Sequence, residues 1–187
     1  QLGRTVANAP LFAVQFRFVS DFLVTADGAQ VDDVEIRGIP RHPNLTWTTP
    51  PFWGGPVVPA SVSGTNTFGT LYAAPEVTYI DGGFTNDGDA VASGSFFVDF
   101  YLDGLTFLSR QTVSNVGVGS VVEIEDIANS TAISAGSHYI QMRLDPTNVI
   151  SEQFEFDNTF NSPSFTWNPA RKDIVIDQVT VTPPIPL

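Results

Sequence analysis

The chain has 187 residues, 42% of them apolar, with 15 Phe, 15 Gly, 14 Pro, no Cys and a formal charge of -12 from 20 acidic against 8 basic residues. That size and apolar content are enough for one sizeable core or two small ones, while the acidic surplus repels phosphate backbones and excludes nucleic acid as a partner. The missing cysteines exclude disulfides, thiolate metal sites and thiol nucleophiles; no apolar run approaches a membrane span, so no membrane insertion is expected, and any export signal lies outside this sequence.

Between Leu11 and Arg37 the sequence predicts two strands. Phe12, Val14, Phe16 and Phe18 alternate with Ala13, Gln15, Arg17 and Val19, and after Asp27-Gly28 the chain resumes with Val31, Val34 and Ile36. Two strands alone are marginal in water, so they must pack on something else. Asp21, Asp27, Asp32 and Asp33 are the metal candidates, because calcium takes six to eight oxygens and clustered carboxylates with turn carbonyls supply them. Adjacent Asp32 and Asp33 point to opposite faces of a regular strand, so gripping one ion needs a bulge. Solvent exposure explains the same residues without an ion.

Residues 39–70 change character. Pro50-Pro51, Gly54-Gly55-Pro56 and Pro59 are too dense for a central ladder, so the segment reads as a linker or a long Pro/Gly-rich excursion at a sandwich edge. Trp47, Phe52 and Trp53 would pin it to a domain surface. Residues 71–168 hold the main body, with strands expected over 76–84, 94–102, 109–116, 121–127, 138–144 and 165–167 and turns at Asn86-Asp87-Gly88-Asp89 and Asp103-Gly104. In 94–102, Phe96, Val98, Phe100 and Leu102 form one dry face; Phe97, Asp99 and Tyr101 form the other. Six or seven short strands in about a hundred residues predict an all-β, immunoglobulin-like antiparallel β-sandwich with extra N-terminal strands. Residues 169–187 give one further strand, which begins another repeat or completes a neighbouring sheet.

Several of these pieces carry a family resemblance. Thr85-Asn86-Asp87-Gly88, the run Phe97-Val98-Asp99-Phe100-Tyr101-Leu102-Asp103-Gly104, Ala135-Gly136-Ser137-His138 through Leu144-Asp145, and Asn148 through Asn158 together resemble CARDB, the cell-adhesion-related domain of bacterial and archaeal surface proteins. Pro43-Asn44-Leu45-Thr46-Trp47 resembles the opening of that family, which lets the sandwich open at 43, and Lys172 to Asp177 resembles it again. The closing segment departs from the pattern at Gln153-Phe154 and Asn158-Thr159. Residues 1–38, through Phe16 to Asp21 and Asp27 to Val34, resemble the closing strands of a jelly-roll module beside secreted peptidases of the immune-inhibitor type. The resemblance implies a piece of a larger extracellular or cell-surface protein, whose partners are neighbouring domains of the same parent or other protein chains.

Catalytic chemistry has little to work with. His42 precedes a proline and His138 enters a strand, where a structural imidazole is the simpler reading; a serine triad lacks a G-x-S-x-G elbow, and zinc lacks ligands. Glu123 with Glu125, or Asp99 with Asp103, imitate a glycosidase pair by parity but need a cleft. Glu152, Glu155 and Asp157 are expected to hold backbone groups and to meet Arg110, Arg143 and Arg171. Trp47, Trp53, Phe97, Tyr101 and Tyr139 offer an aromatic platform for a surface polysaccharide, or lie under a neighbouring segment. Asn44 and Asn129 open glycosylation sequons. The reading is a non-catalytic structural or adhesion module without catalytic residues; its alternatives are a filament subunit using strand complementation and a carbohydrate-binding module.

Overall fold

A computed structural model describes residues 40–172, and every regular element in that range is a strand. In chain order these are β1 (Leu45–Trp47), β2 (Val57–Ala60), β3 (Leu71–Tyr72), β4 (Thr78–Asn86), β5 (Ala92–Leu102), β6 (Thr106–Val116), β7 (Val121–Asn129), β8 (Gly136–His138), β9 (Ile140–Leu144), β10 (Thr159–Asn161) and β11 (Phe165–Asn168). One sheet is built on β4. β7 runs along one edge of β4 from Thr78 to Thr85, while β2 and β1 occupy successive stretches of its other edge, at Tyr79–Gly82 and Phe84–Asn86. The second sheet has the order β10-β9-β5-β6, and a small third sheet joins β3, β11 and β8. All pairings are antiparallel except β3 with β11.

Strand alternation explains the core. Ile80 and Phe84 of β4 face Phe96, Val98, Phe100 and Leu102 of β5 and Ile140, Met142 and Leu144 of β9, all buried. Each such side chain contributes about 1.5–3 kcal/mol by leaving water. Gly82 is where the facing sheet comes closest: a Cβ there would lie 2.6 Å from the Phe100 ring and 3.0 Å from Met142 Sδ. On the other side of β4, a Cβ on Gly83 would meet Pro50 at 2.4 Å. The glycine pair therefore admits a phenyl ring from the core and a proline from outside.

The expected main-body strands appear within a few residues of their predicted limits, and the all-β antiparallel sandwich is the fold. Residues 40–70, within the segment read as a linker or an excursion at a sandwich edge, hold edge strands and packed aromatic side chains. They supply β1 and β2, bury Trp53, and lay Phe68 over Gly54 and Gly55 and against Phe165 at 5.1 Å. Pro59 is tolerated because β2 is an edge strand among the described residues. The single strand expected over 138–144 is split at Tyr139: its nitrogen donates to Asp103 Oδ1 at 3.0 Å and its carbonyl accepts from Asp103 N at 2.9 Å. The β5–β6 turn thus takes the Tyr139 backbone out of the ladder. That turn has Asp103 at φ 52° and Gly104 at φ 70°, which the Asp-Gly pair tolerates better than most sequences. The expected strands within 1–38 and 173–187 lie outside the described residues.

Candidate functional site

Four places gather polar chemistry. The first is the outer face of the β10-β9-β5-β6 sheet. Asp99, on β5, is fully buried although it points away from the core, because Arg110 of the neighbouring β6 register position covers it. Nε and Nη2 of Arg110 donate to Oδ1 and Oδ2 of Asp99, each at 2.7 Å. The same guanidinium lies over the Phe97 ring at 4.4 Å, and that of Arg143 over Tyr101 at 4.2 Å. The aromatic platform expected for a sugar is therefore dispersed: Phe97 and Tyr101 are capped by guanidinium groups, Trp53 is buried, and Trp47 stacks on Phe160 at 4.9 Å.

The second place is a polar clasp where the chain enters the sandwich. Asn86 is fully buried; its Oδ1 accepts from Asn44 N and Gly88 N, and its Nδ2 donates to Ala90 O and Val116 O. Asn44 Nδ2 donates to Asp87 Oδ1 at 2.7 Å and Asp157 Oδ2 at 3.1 Å. Glu152 accepts from Leu45 N and, at 2.8 Å, from Asn158 Nδ2. Burial outweighs these hydrogen bonds, and with the negative charges of Glu155 and Asp145 it pushes the Glu152 carboxyl up to about 7. Of the closing-segment acids, Glu152 and Glu155 hold backbone nitrogens as expected, Glu155 accepting from Glu152 N, whereas Asp157 accepts from the Asn44 side chain. The described contacts of the arginines lie elsewhere: Arg110 pairs with Asp99, Arg171 with Glu76, and Arg143 donates to Gln141 and to Gly104 O. Asn44 and Asn129 are buried with their amides committed, so neither sequon presents a free amide in the folded domain.

The third place is His138. Its Nδ1 lies 2.7 Å from Asp103 Oδ2, its Nε2 lies 3.2 Å from Ser134 Oγ, and its ring packs edge-on against buried Trp167 at 5.8 Å. The order of contacts is that of a serine triad, reached without an elbow motif. Burial disfavours the Asp103 carboxylate, but hydrogen bonds with His138 and from Tyr139 N outweigh it and hold its pKa below the ordinary value. The group latches the β5–β6 turn onto β8.

The fourth place is an acidic bulge between β4 and β7. Ile80 pairs with Ile127 and Gly82 with Ile124, so Glu125 and Asp126 together stand opposite Asp81. Asp126 takes φ 55°, its nitrogen donates to Asp81 Oδ1 at 2.6 Å, and its Oδ1 accepts from Gly64 N at 2.6 Å. The loop after β2 closes over this spot and leaves a cavity of about 120 Å³ lined by Gly64, Thr65, Asn66, Asp81, Glu125 and Asp126. Asp81 is 2% exposed and its Oδ2 has no hydrogen-bond partner. Desolvation, with the charges of Asp126 and Glu125, outweighs the one backbone bond and raises its carboxyl to about 6. Glu123, opposite Gly83, and Glu125 keep the shared parity expected of them, because the bulge comes after Ile124, but only Glu125 of the two lines the cavity.

Among the described residues no group of three or more His, Asp or Glu side chains is arranged as a ready metal cage. Asp21, Asp27, Asp32 and Asp33 lie outside the described residues.

The CARDB family model matches residues 73–162. Among curated proteins none matches the chain. Among solved structures the chain is similar to the CARDB domain of a Pyrococcus furiosus protein, crystallised in complex with di-metal ions, at 18% identity and a TM-score of 0.47 over 72% of this chain and all, 100%, of that one. It is also similar to a domain of a Methanosarcina acetivorans protein whose name assigns it to the cell surface, at 17% identity and a TM-score of 0.49 over 67% of this chain and 92% of that one. CARDB domains are non-catalytic adhesion modules that occur within larger cell-surface and extracellular proteins. The β-sandwich of residues 73–162 belongs to the CARDB family.

Proposed function

We propose that the chain is a segment of a larger extracellular protein in which the CARDB sandwich spaces and supports its neighbours, with residues 1–38 closing a jelly-roll-like module beside a peptidase and residues 169–187 opening a further repeat. In this reading the sandwich opens at 43, and calcium on Asp21, Asp27, Asp32 and Asp33 belongs to the preceding module. The observation that carries the proposal is how the chain is fastened on its way in. His42 N donates to Asp89 Oδ1, Gln153 N donates to Pro43 O, and Asn44 reaches Asp87 and Asp157. On the way out, Arg171 donates to both oxygens of Glu76 and lies over the Tyr72 ring at 4.7 Å. Contacts of long sequence separation at both points suit a module that passes tension from one neighbour to the next.

Limited proteolysis of the full chain tests this. The expected outcome is a resistant core that keeps both fastening points, His42 and Arg171, and no turnover of ester, glycoside or peptide substrates. Turnover abolished by His138→Ala would overturn the reading in favour of the Ser134, His138 and Asp103 group. Saturable polysaccharide binding lost in Tyr101→Ala would move it to a carbohydrate-binding module.

A further inference from the structure

The acidic bulge ties β7 to β4 and to the loop after β2 through Asp126, and its chemistry is incomplete. Asp81 is a strand residue on the outer side of β4, taken out of solvent by the loop carrying Gly64, Thr65 and Asn66. One of its oxygens is satisfied by Asp126 N; the other is buried with no donor, and Asp81 lines the cavity. A buried carboxylate oxygen without a donor needs an explanation. The charges acting on Asp81 are those of Asp126 and Glu125, both negative, and the described ion pairs of Arg110, His138 and Arg171 go elsewhere. A water molecule would satisfy the lone pair and leave the charge in place. A cation answers both requirements.

We propose that this cavity binds a hard divalent cation of the calcium class, anchored by Asp81 Oδ2 and the carboxylates of Asp126 and Glu125. The available donors are all oxygens, which suits calcium or magnesium rather than zinc or copper, and an irregular bulge with a flexible loop suits the loose six to eight oxygen shell of calcium better than an octahedron. The three carboxylates do not form a closed cage before binding. Glu125 is exposed and free to swing in, and the Asn66 amide, the loop carbonyls and water complete the shell. The bound ion ties the loop after β2 to β4 and β7, and so fixes the Pro-rich segment on the sandwich.

The test uses the full 187-residue chain, titrated with calcium chloride by calorimetry and melted in chelator, calcium or magnesium. The expected result is calcium binding near the 0.1–1 mM range of extracellular modules, with a raised midpoint and a weaker response to magnesium. Asp81→Asn and Glu125→Gln should each weaken binding roughly tenfold or more. Asp81→Asn keeps a carbonyl oxygen for Asp126 N, so it should melt at or above the parent in chelator, and Glu125 is exposed, so lost binding in either variant is not lost folding. No calcium response up to about ten times that range, or a response unchanged in both variants, overturns the proposal. So does a response lost only in Asp32→Asn, which would assign the ion to the N-terminal acids.

Discussion

Asp99 and Asp81 sit on outward positions of strands in the two principal sheets, and both are buried. Asp99 has a bidentate guanidinium across the β5–β6 ladder; Asp81 has one backbone nitrogen, a bare oxygen and two acidic neighbours. Burial of a carboxylate is thus answered inside the chain on one sheet and left open on the other. A saturated charge fixes the register of adjacent strands, since only one pairing brings Arg110 opposite Asp99. An unsaturated one costs stability until something arrives, which is the usual mark of a ligand site. Asn86 itself belongs with the saturated side, Glu152 falls between the two, hydrogen-bonded yet raised, and Asp157 Oδ1 and Asn158 Oδ1 beside them are buried without partners.

The largest effect is expected where saturation is complete. Asn86→Ala removes four hydrogen bonds from a fully buried side chain, a loss of about 3–4 kcal/mol at ~1 kcal/mol for each, read by urea unfolding. A loss below about 1 kcal/mol would mean that water replaces those partners. Glu152 gives the next effect through pH. Its folded pKa of about 7 stands above the ordinary 4.5, so the folded chain holds a proton that the unfolded chain releases. Its contribution is full below pH 4.5 and is lost as pH rises through 7, by about 3 kcal/mol. Asp81 adds a loss of the same sign, finished by about pH 6. Unfolding of Glu152→Gln at pH 5 and pH 8 should show a much flatter dependence than the parent. The smallest effect is Arg143→Ala, which uncovers the Tyr101 ring and frees Gly104 O; about 1 kcal/mol is expected in the same assay.

What was legible in the sequence follows the strength of alternation. β5 could be read residue by residue, because Phe96, Val98, Phe100 and Leu102 never break period two and Asp103-Gly104 marks the end. β1 was reached only through the likeness of Pro43 to Trp47 to a family opening, and β2 was not legible: four residues, one of them Pro59, are too short to show a period, and the place of both strands is set by β4. The acidic bulge did leave a trace. Ile124 and Ile127 are the inward residues of β7, separated by three positions with Glu125-Asp126 between them, and that extra residue is what a bulge requires. Burial of Asp81 left none, since it depends on a loop more than a dozen residues upstream. Nor did the clasp: Asn44, Asn86 and Glu152 are over forty residues apart in sequence, and polar residues of that kind read as turns until the fold brings them together.

The contrast between the two aspartates is tested most directly by melting Asp99→Asn and Asp81→Asn side by side in chelator at pH 8. Asp99→Asn should lower the midpoint by several degrees, because Arg110 loses its bidentate partner, while Asp81→Asn should leave it unchanged or raise it by removing an unanswered buried charge. Equal destabilisation by both substitutions would contradict the account, since Asp81 would then have a partner inside the folded chain.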